Sequence, residues 1–166
     1  MPLSLSLKAG IRGNHTSTLD LGTPAFPIDV SAAVTLDNGT GANQADRVFT
    51  DTRTVTTGAT DSLDVAGSLT DAFGATITMA RVKALYIKSA STNTTDLQLT
   101  RPASNGVPLF AATSDAIVIK PGGVFFWAAP DATAIPVTAA TADLINIVNG
   151  AGASAVYDIV IVGASA

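Results

Sequence analysis

The chain has 166 residues but no cysteine, no glutamate and a single histidine, and only 13% of its residues are charged. Each shortage excludes something. Without cysteine there are no disulfides and no thiolate metal sites, and redox chemistry says nothing about compartment. The one histidine, His15, is too few for a multi-histidine metal site or a metal-dependent oxygenase. All 13 acidic residues are aspartate, which removes a leading helix former and keeps a residue that favours turns and caps. The net charge is −4 with a pI near 4.6, and the nine Lys and Arg residues are scattered, so no basic stripe exists for a phosphate backbone. No apolar run reaches about 18 residues, and the N-terminus alternates Leu3, Leu5 and Leu7 with Ser4, Ser6 and Lys8. Neither a spanning helix nor a signal peptide is expected, which implies a soluble protein made in the cytoplasm. A surface with so little charge, against roughly 25% in an average soluble domain, is unusual for a free monomer.

What is present points to strands. Threonine, valine and isoleucine are abundant, and 47% of residues are hydrophobic. Ile117 to Ile119 and Val124 to Trp127 flank Pro121-Gly122-Gly123, where the chain must reverse or bend. The only tryptophan and two of six phenylalanines follow that turn. This stretch is therefore the expected organiser of the core. Leu3 to Leu7 reads as a half-buried strand closed by Gly10 and Gly13, or as an arm pairing with a neighbouring subunit. Asn14 to Pro27 lacks sustained periodicity and reads as a connecting loop. Val30 to Leu36, Arg47 to Thr56, Ala75 to Ser89, Asp96 to Thr100, Leu144 to Val148 and Val156 to Val162 read as strands. Within Ala75 to Ser89, Ile77, Met79, Leu85 and Ile87 share one phase, which Arg81 and Lys83 interrupt; Met79, Val82, Leu85 and Tyr86 also fit a helical stripe, and Gly74 with the Thr and Ile content favours the strand. Asn149-Gly150 and Gly152 carry hairpin-type turn chemistry between the last two strands. The fold class is all-β: a single-domain antiparallel β-sandwich, with a jelly roll the expected topology. Residues 1–40 are the N-terminal strand or arm with its loop, and residues 41–166 the sandwich.

Catalytic patterns are weak. His15 and Asp20 lie in loop sequence, and no serine sits in a Gly-x-Ser-x-Gly elbow. Carboxylate pairs such as Asp61 with Asp64, or Asp46 with Asp51, have the composition of a glycosidase pair, yet they read as turn and edge residues. Asp37, Asn38, Asn43 and Asp46 offer oxygen ligands without the spacing or closing glutamate of a calcium loop. Gly39-Thr40-Gly41 lacks the ending of a phosphate loop. Phe125, Phe126 and Trp127 must face alternate sides of a strand, and read as sandwich or subunit contacts before a sugar-stacking platform. No catalytic residue, metal ligand or cofactor is expected.

Several stretches taken together resemble a known group. They are Gln44-Ala45-Asp46-Arg47-Val48-Phe49 with Asp51-Thr52-Arg53, Leu63 to Gly74, Ala80 to Ala84, Pro121-Gly122-Gly123, and Tyr157 to Gly163. The group is the small structural proteins encoded among the virion genes of tailed bacteriophages, and the resemblance spans most of residues 40–166. It implies a jelly-roll virion component, a class that includes capsid decoration or cement proteins as well as tail and fibre parts. On that expectation the protein binds the major capsid protein and copies of itself, as a dimer or trimer on the capsid surface, with no nucleic acid and no membrane. A tail or fibre receptor-binding module is the alternative, and a glycan-acting enzyme the third. Leu3, Leu5, Leu7, Arg47, Phe49 and Arg53 are the candidate contact residues.

Overall fold

The computed structural model describes residues 3–166 and contains strands and turns, with no helix among the described residues. The strands are β1 (Ser4–Thr16), β2 (Ala25–Asn38), β3 (Gln44–Ala45), β4 (Arg47–Val55), β5 (Thr60–Asp64), β6 (Arg81–Ser89), β7 (Leu97–Thr100), β8 (Ala116–Ile119), β9 (Val124–Ala128), β10 (Ile135–Pro136), β11 (Leu144–Asn149) and β12 (Ala155–Ala164). One sheet runs β4-β12-β6, with β9 and the short β10 both on the far edge of β6. A second runs β5-β11-β7-β8. Their facing sides enclose the main core, so the body is an antiparallel β-sandwich. If the two-residue β10 is set aside and the sandwich strands are numbered along the chain, the sheets have orders 1-8-3-6 and 2-7-4-5.

The centre of that core comes from β6, β11 and β12. Leu85, Ile87, Ile145, Ile147, Tyr157, Ile159 and Ile161 are all 0% exposed. Their alternation along central strands is what period-two burial requires. The aromatic stretch expected to organise the core lies at its margin instead. β9 is an edge strand whose Phe125, Phe126 and Trp127 are half-buried, and Ile117, Val118 and Val124 are exposed. Aromatic volume alone does not place a strand centrally, because an edge strand has a neighbour on one side only. The Pro121-Gly122-Gly123 turn does bend the chain, with Gly122 at a φ of +73°. It carries the chain from one sheet to the other rather than closing a hairpin, since β8 pairs with β7 and β9 with β6. The Asn149-Gly150 segment behaves alike, joining β11 in one sheet to β12 in the other.

β6 contains a bulge that the sequence pattern hides. Val162 pairs with Ala84 but Gly163 pairs with Val82, so Lys83 is left without a partner on β12. The extra residue reverses the alternation: Leu85 and Val82 both reach the main core, while Ala84 faces outward. The interruption at Lys83 is this change of phase; the one at Arg81 has another cause, because β6 begins only there and Ile77 and Met79 precede the strand instead of belonging to it as expected. Gly163 permits the close approach, because a Cβ there would lie 2.5 Å from both the Arg81 carbonyl and the Met79 sulfur.

The third sheet contains β1, β2 and β3. β1 and β2 pair from Ser4↔Asp37 to Thr16↔Ala25, making one long hairpin where two shorter strands, Leu3 to Leu7 and Val30 to Leu36, and a loop over Asn14 to Pro27 were expected. Asn14 to Thr16 and Ala25 to Pro27 belong to its strands, and only residues 17–24 form the turn. Cross-strand pairing sustains Gly10, Gly13 and Asn14 in extended conformation, which local propensity does not favour.

Candidate interaction surface

The hairpin has two unlike faces. Its register puts Leu5 opposite Leu36, Leu7 opposite Val34, Ala9 opposite Ala32, Ile11 opposite Val30, Gly13 opposite Ile28 and His15 opposite Phe26. Because directly paired residues share a face, these form one apolar stripe along the whole ribbon. The opposite face carries Ser6 with Thr35, Lys8 with Ala33, Gly10 with Ser31 and Arg12 with Asp29. Arg12 and Asp29 form an ion pair at 2.8 Å, both largely exposed.

Only the base of the apolar stripe is covered. Leu36 is 0% exposed, and Leu3, Leu5, Leu7 and Val34 pack with Val48, Ala84, Ala128, Val160 and Val162 on the outer face of the β4-β12-β6-β9 sheet. Burying one such leucine is worth about 1.5–3 kcal/mol, so this contact anchors the hairpin to the body. Leu3 shares a cleft with Val48 and Thr50 of β4, and Leu7 to Ala9 share one with Val124 and Phe126 of β9. The ribbon therefore crosses the sheet from the β4 edge to the β9 edge and leaves it there. From Lys8 to Ala33 every residue is exposed, including Ile11 at 72%, Phe26 at 69% and Val30 at 67%.

Where the ribbon departs, a groove of about 490 Å³ opens between it and the sheet, lined by Leu5, Leu7, Tyr86, Val124, Phe126 and Val160 among others. Val160, Tyr86 and Phe126 are consecutive cross-strand partners, so they form one row next to the row that the hairpin covers. A second cleft of about 690 Å³ lies at the β4 edge, where Asp46, Arg47 and Asp71 meet the exposed Phe73. Its carboxylates are engaged within the fold. Asp46 accepts from the Ser165 amide at 2.8 Å and its hydroxyl at 2.6 Å, and Asp71 accepts from the Phe73 and Ala75 amides at 2.9 Å.

The six candidate contact residues thus divide. Leu3, Leu5 and Leu7 face the molecule's own sheet. Phe49 is 4% exposed in the sandwich core and presents nothing to a partner. Arg47 is half-exposed beside Asp46 on the free edge of β4. Arg53 bridges to Asp61 on β5, donating from Nε at 2.5 Å and Nη2 at 2.9 Å, with Asp51 3.0 Å from its Nη1. Sequence reasoning missed the distal hairpin, Ile11 to Val30. The signal was there only in combination: two irregular segments become one apolar face when aligned antiparallel.

The weakly supported catalytic groups come apart as well. His15 is exposed near the hairpin tip. Asp64 accepts from the Ala66 amide at 2.8 Å as a turn residue, while Asp61 also accepts from the buried Tyr157 hydroxyl at 2.8 Å. No group of three or more His, Cys, Asp or Glu residues that could hold a metal ion occurs among the described residues. No helix among them is long and apolar enough to cross a membrane.

Burial alone would push the Asp61 carboxyl up, but the hydrogen bonds from Arg53 and Tyr157 and the guanidinium charge outweigh it and hold the pKa below the ordinary 3.8. Asp131 is held down to about 2 by the Thr133 hydroxyl and the Ala134 and Thr133 amides. Both groups bind protons less readily folded than unfolded. Their contribution is complete above the unfolded value and is lost as pH falls through the folded one. Thermal unfolding at a series of pH values should give a Tm that is flat down to about pH 5 and falls between about pH 4 and 2, with Asp61→Asn making the fall shallower.

Comparison of this chain with known protein families, curated proteins and solved structures yields no match in any of the three.

Proposed function

We propose that this chain is a structural component of a tailed-bacteriophage virion, a decoration or cement protein that binds the major capsid protein and stabilises the head shell. One observation carries the reading: a sandwich body from which a two-stranded ribbon stands off with its apolar face uncovered. Such a ribbon suits contact with a neighbour, because an isolated two-stranded hairpin is at best marginally stable in water and gains stability from a covering surface. The orders 1-8-3-6 and 2-7-4-5 support reading the sandwich as a jelly roll, and the low charge suits a surface largely covered by neighbours. The stabilisation arises from repetition, since modest contacts multiplied by shell symmetry bind the folded shell and oppose its expansion.

Particles assembled without this protein should release their genome at lower temperature than complete particles. Adding the purified protein back should restore the difference and saturate at a fixed number of copies per head. Cryo-electron microscopy of those particles should show small sandwiches at repeated capsid positions. Failure to bind heads, with density confined to the tail, would instead favour a tail or fibre module. The exposed Phe73 beside the β4-edge cleft supports that second reading, as an aromatic face on which a host sugar stacks.

A further inference from the structure

We propose that the distal hairpin, residues 9–33, docks in the apolar groove of a second copy of this chain, and that the two copies exchange hairpins about a two-fold axis. The inference rests on the fold alone, so it stands or falls independently of the virion reading.

Each copy has two unpaired surfaces of the same chemistry. One is the ribbon face of Ile11, Ile28, Val30 and Ala32; the other is the groove flank of Tyr86 and Phe126 with Val124 beside it. They are continuations of the two sides of a contact that already exists within the molecule. The hairpin base covers the row Val48, Val162, Ala84 and Ala128, and Val160 of the next row packs at its margin, which leaves Tyr86 and Phe126 half-buried and Val124 exposed beside the groove. A ribbon stripe that packs on this sheet at its base has matching chemistry for the neighbouring row of another copy. The stripe contains no Asp, Lys or Arg; Lys8, Arg12 and Asp29 lie on the opposite ribbon face, Asp20 is exposed in the turn, and Lys8 also lines the rim of the groove. The charge at the groove, Lys8, is exposed and keeps its ammonium in water while the stripe docks.

Area selects a second copy over an unrelated partner. Seven residues per strand at about 3.4 Å, two strands wide at about 4.8 Å spacing, give the ribbon face roughly 230 Å². One such contact, counted on both sides, removes only about 460 Å², which is crystal-contact scale, whereas two related by symmetry reach about 900 Å², above that scale and close to the roughly 1,000 Å² that a specific interface needs. An isologous dimer supplies the second contact automatically. It also leaves the free edge of β4 and the outer face of the β5-β11-β7-β8 sheet uncovered for other partners.

Sedimentation velocity on the purified chain should show a dimer at micromolar concentration. Val30→Asp on the hairpin and Val124→Asp in the groove, at positions 67% and 56% exposed, should each weaken dimerisation about 10-fold or more with circular dichroism and Tm unchanged. The chain has no cysteine, so single cysteines report contact directly. Mixtures of Ile11→Cys, Ile28→Cys or Val30→Cys chains with Val124→Cys or Phe126→Cys chains should form disulfide-linked heterodimers. A monomeric wild-type chain, a dimer unaffected by both aspartates, or the absence of cross-links from every hairpin–groove pair would overturn the proposal. A closed ring of three or more copies would overturn the two-fold exchange.

Discussion

Replacing Asp61 with alanine is expected to lower the free energy of unfolding by about 2–3 kcal/mol, measured by urea denaturation at neutral pH. Asp61 on β5 accepts from Arg53 on β4 and from Tyr157 on β12, so one carboxylate joins the two sheets where the sandwich is open at its edge. Its removal leaves the Tyr157 hydroxyl without its carboxylate acceptor in a side chain that is 0% exposed, a loss of about 1–3 kcal/mol. The Arg53 share is discounted from the fully buried case. Its side chain is 31% exposed, and Asp51 remains 3.0 Å away to take part of the charge. A double-mutant cycle of Asp61→Ala with Tyr157→Phe isolates the buried share, with an expected coupling of about 1–2 kcal/mol. The same experiment bears on catalysis. An acid of a carboxylate pair has its pKa raised, whereas Asp61 is held below the ordinary value. A variant that loses stability identifies Asp61 as a structural group; one that folds as wild type but loses a glycan-cleaving activity would make it catalytic.

Lys83→Ala is expected to cost more, about 4 kcal/mol, and Lys83→Met about 2 kcal/mol. Lys83 is 0% exposed at the β6 bulge, and its ammonium donates to the Gly41 carbonyl at 3.0 Å and to the Asp131 carbonyl. It thereby ties two loops, one after the hairpin and one after β9, to the central sheet. Burial pulls its pKa down, Asp131 opposes that, and Arg81 adds to it. Methionine keeps the packed stem and removes only the donors, while alanine adds a cavity. The difference between the two variants, read from chemical denaturation, separates packing from hydrogen bonding. Equal losses would mean that the carbonyl bonds carry the whole effect.

The residues differ in how plainly they announced their places. Val156 to Val162 and Leu144 to Val148 alternate in a way that a half-buried strand requires, and both lie at the centre of the sandwich. Lys83 reads as an interruption because a bulge is a property of two strands: β12 skips a residue opposite it. Phe49 reads as a contact residue among Arg47, Asp51 and Arg53, yet the inward phase of β4 buries it. Asn14 to Pro27 reads as a loop because Gly13, Asn14 and Pro27 each disfavour regular structure in a single strand. Their pairing partners across the hairpin, Gly13 with Ile28 and Asn14 with Pro27, hold them extended.

Composition and short-range periodicity determined the all-β class, because the absence of glutamate and the supply of Thr, Val and Ile act on every residue's backbone preference locally. They also determined most strand positions, since alternate burial is written every second residue. Which strands lie at the centre, which turns cross between sheets, and where the hairpin leaves the body were decided only by tertiary structure. Those properties depend on residues distant in sequence meeting across a sheet, and no local preference encodes the partner.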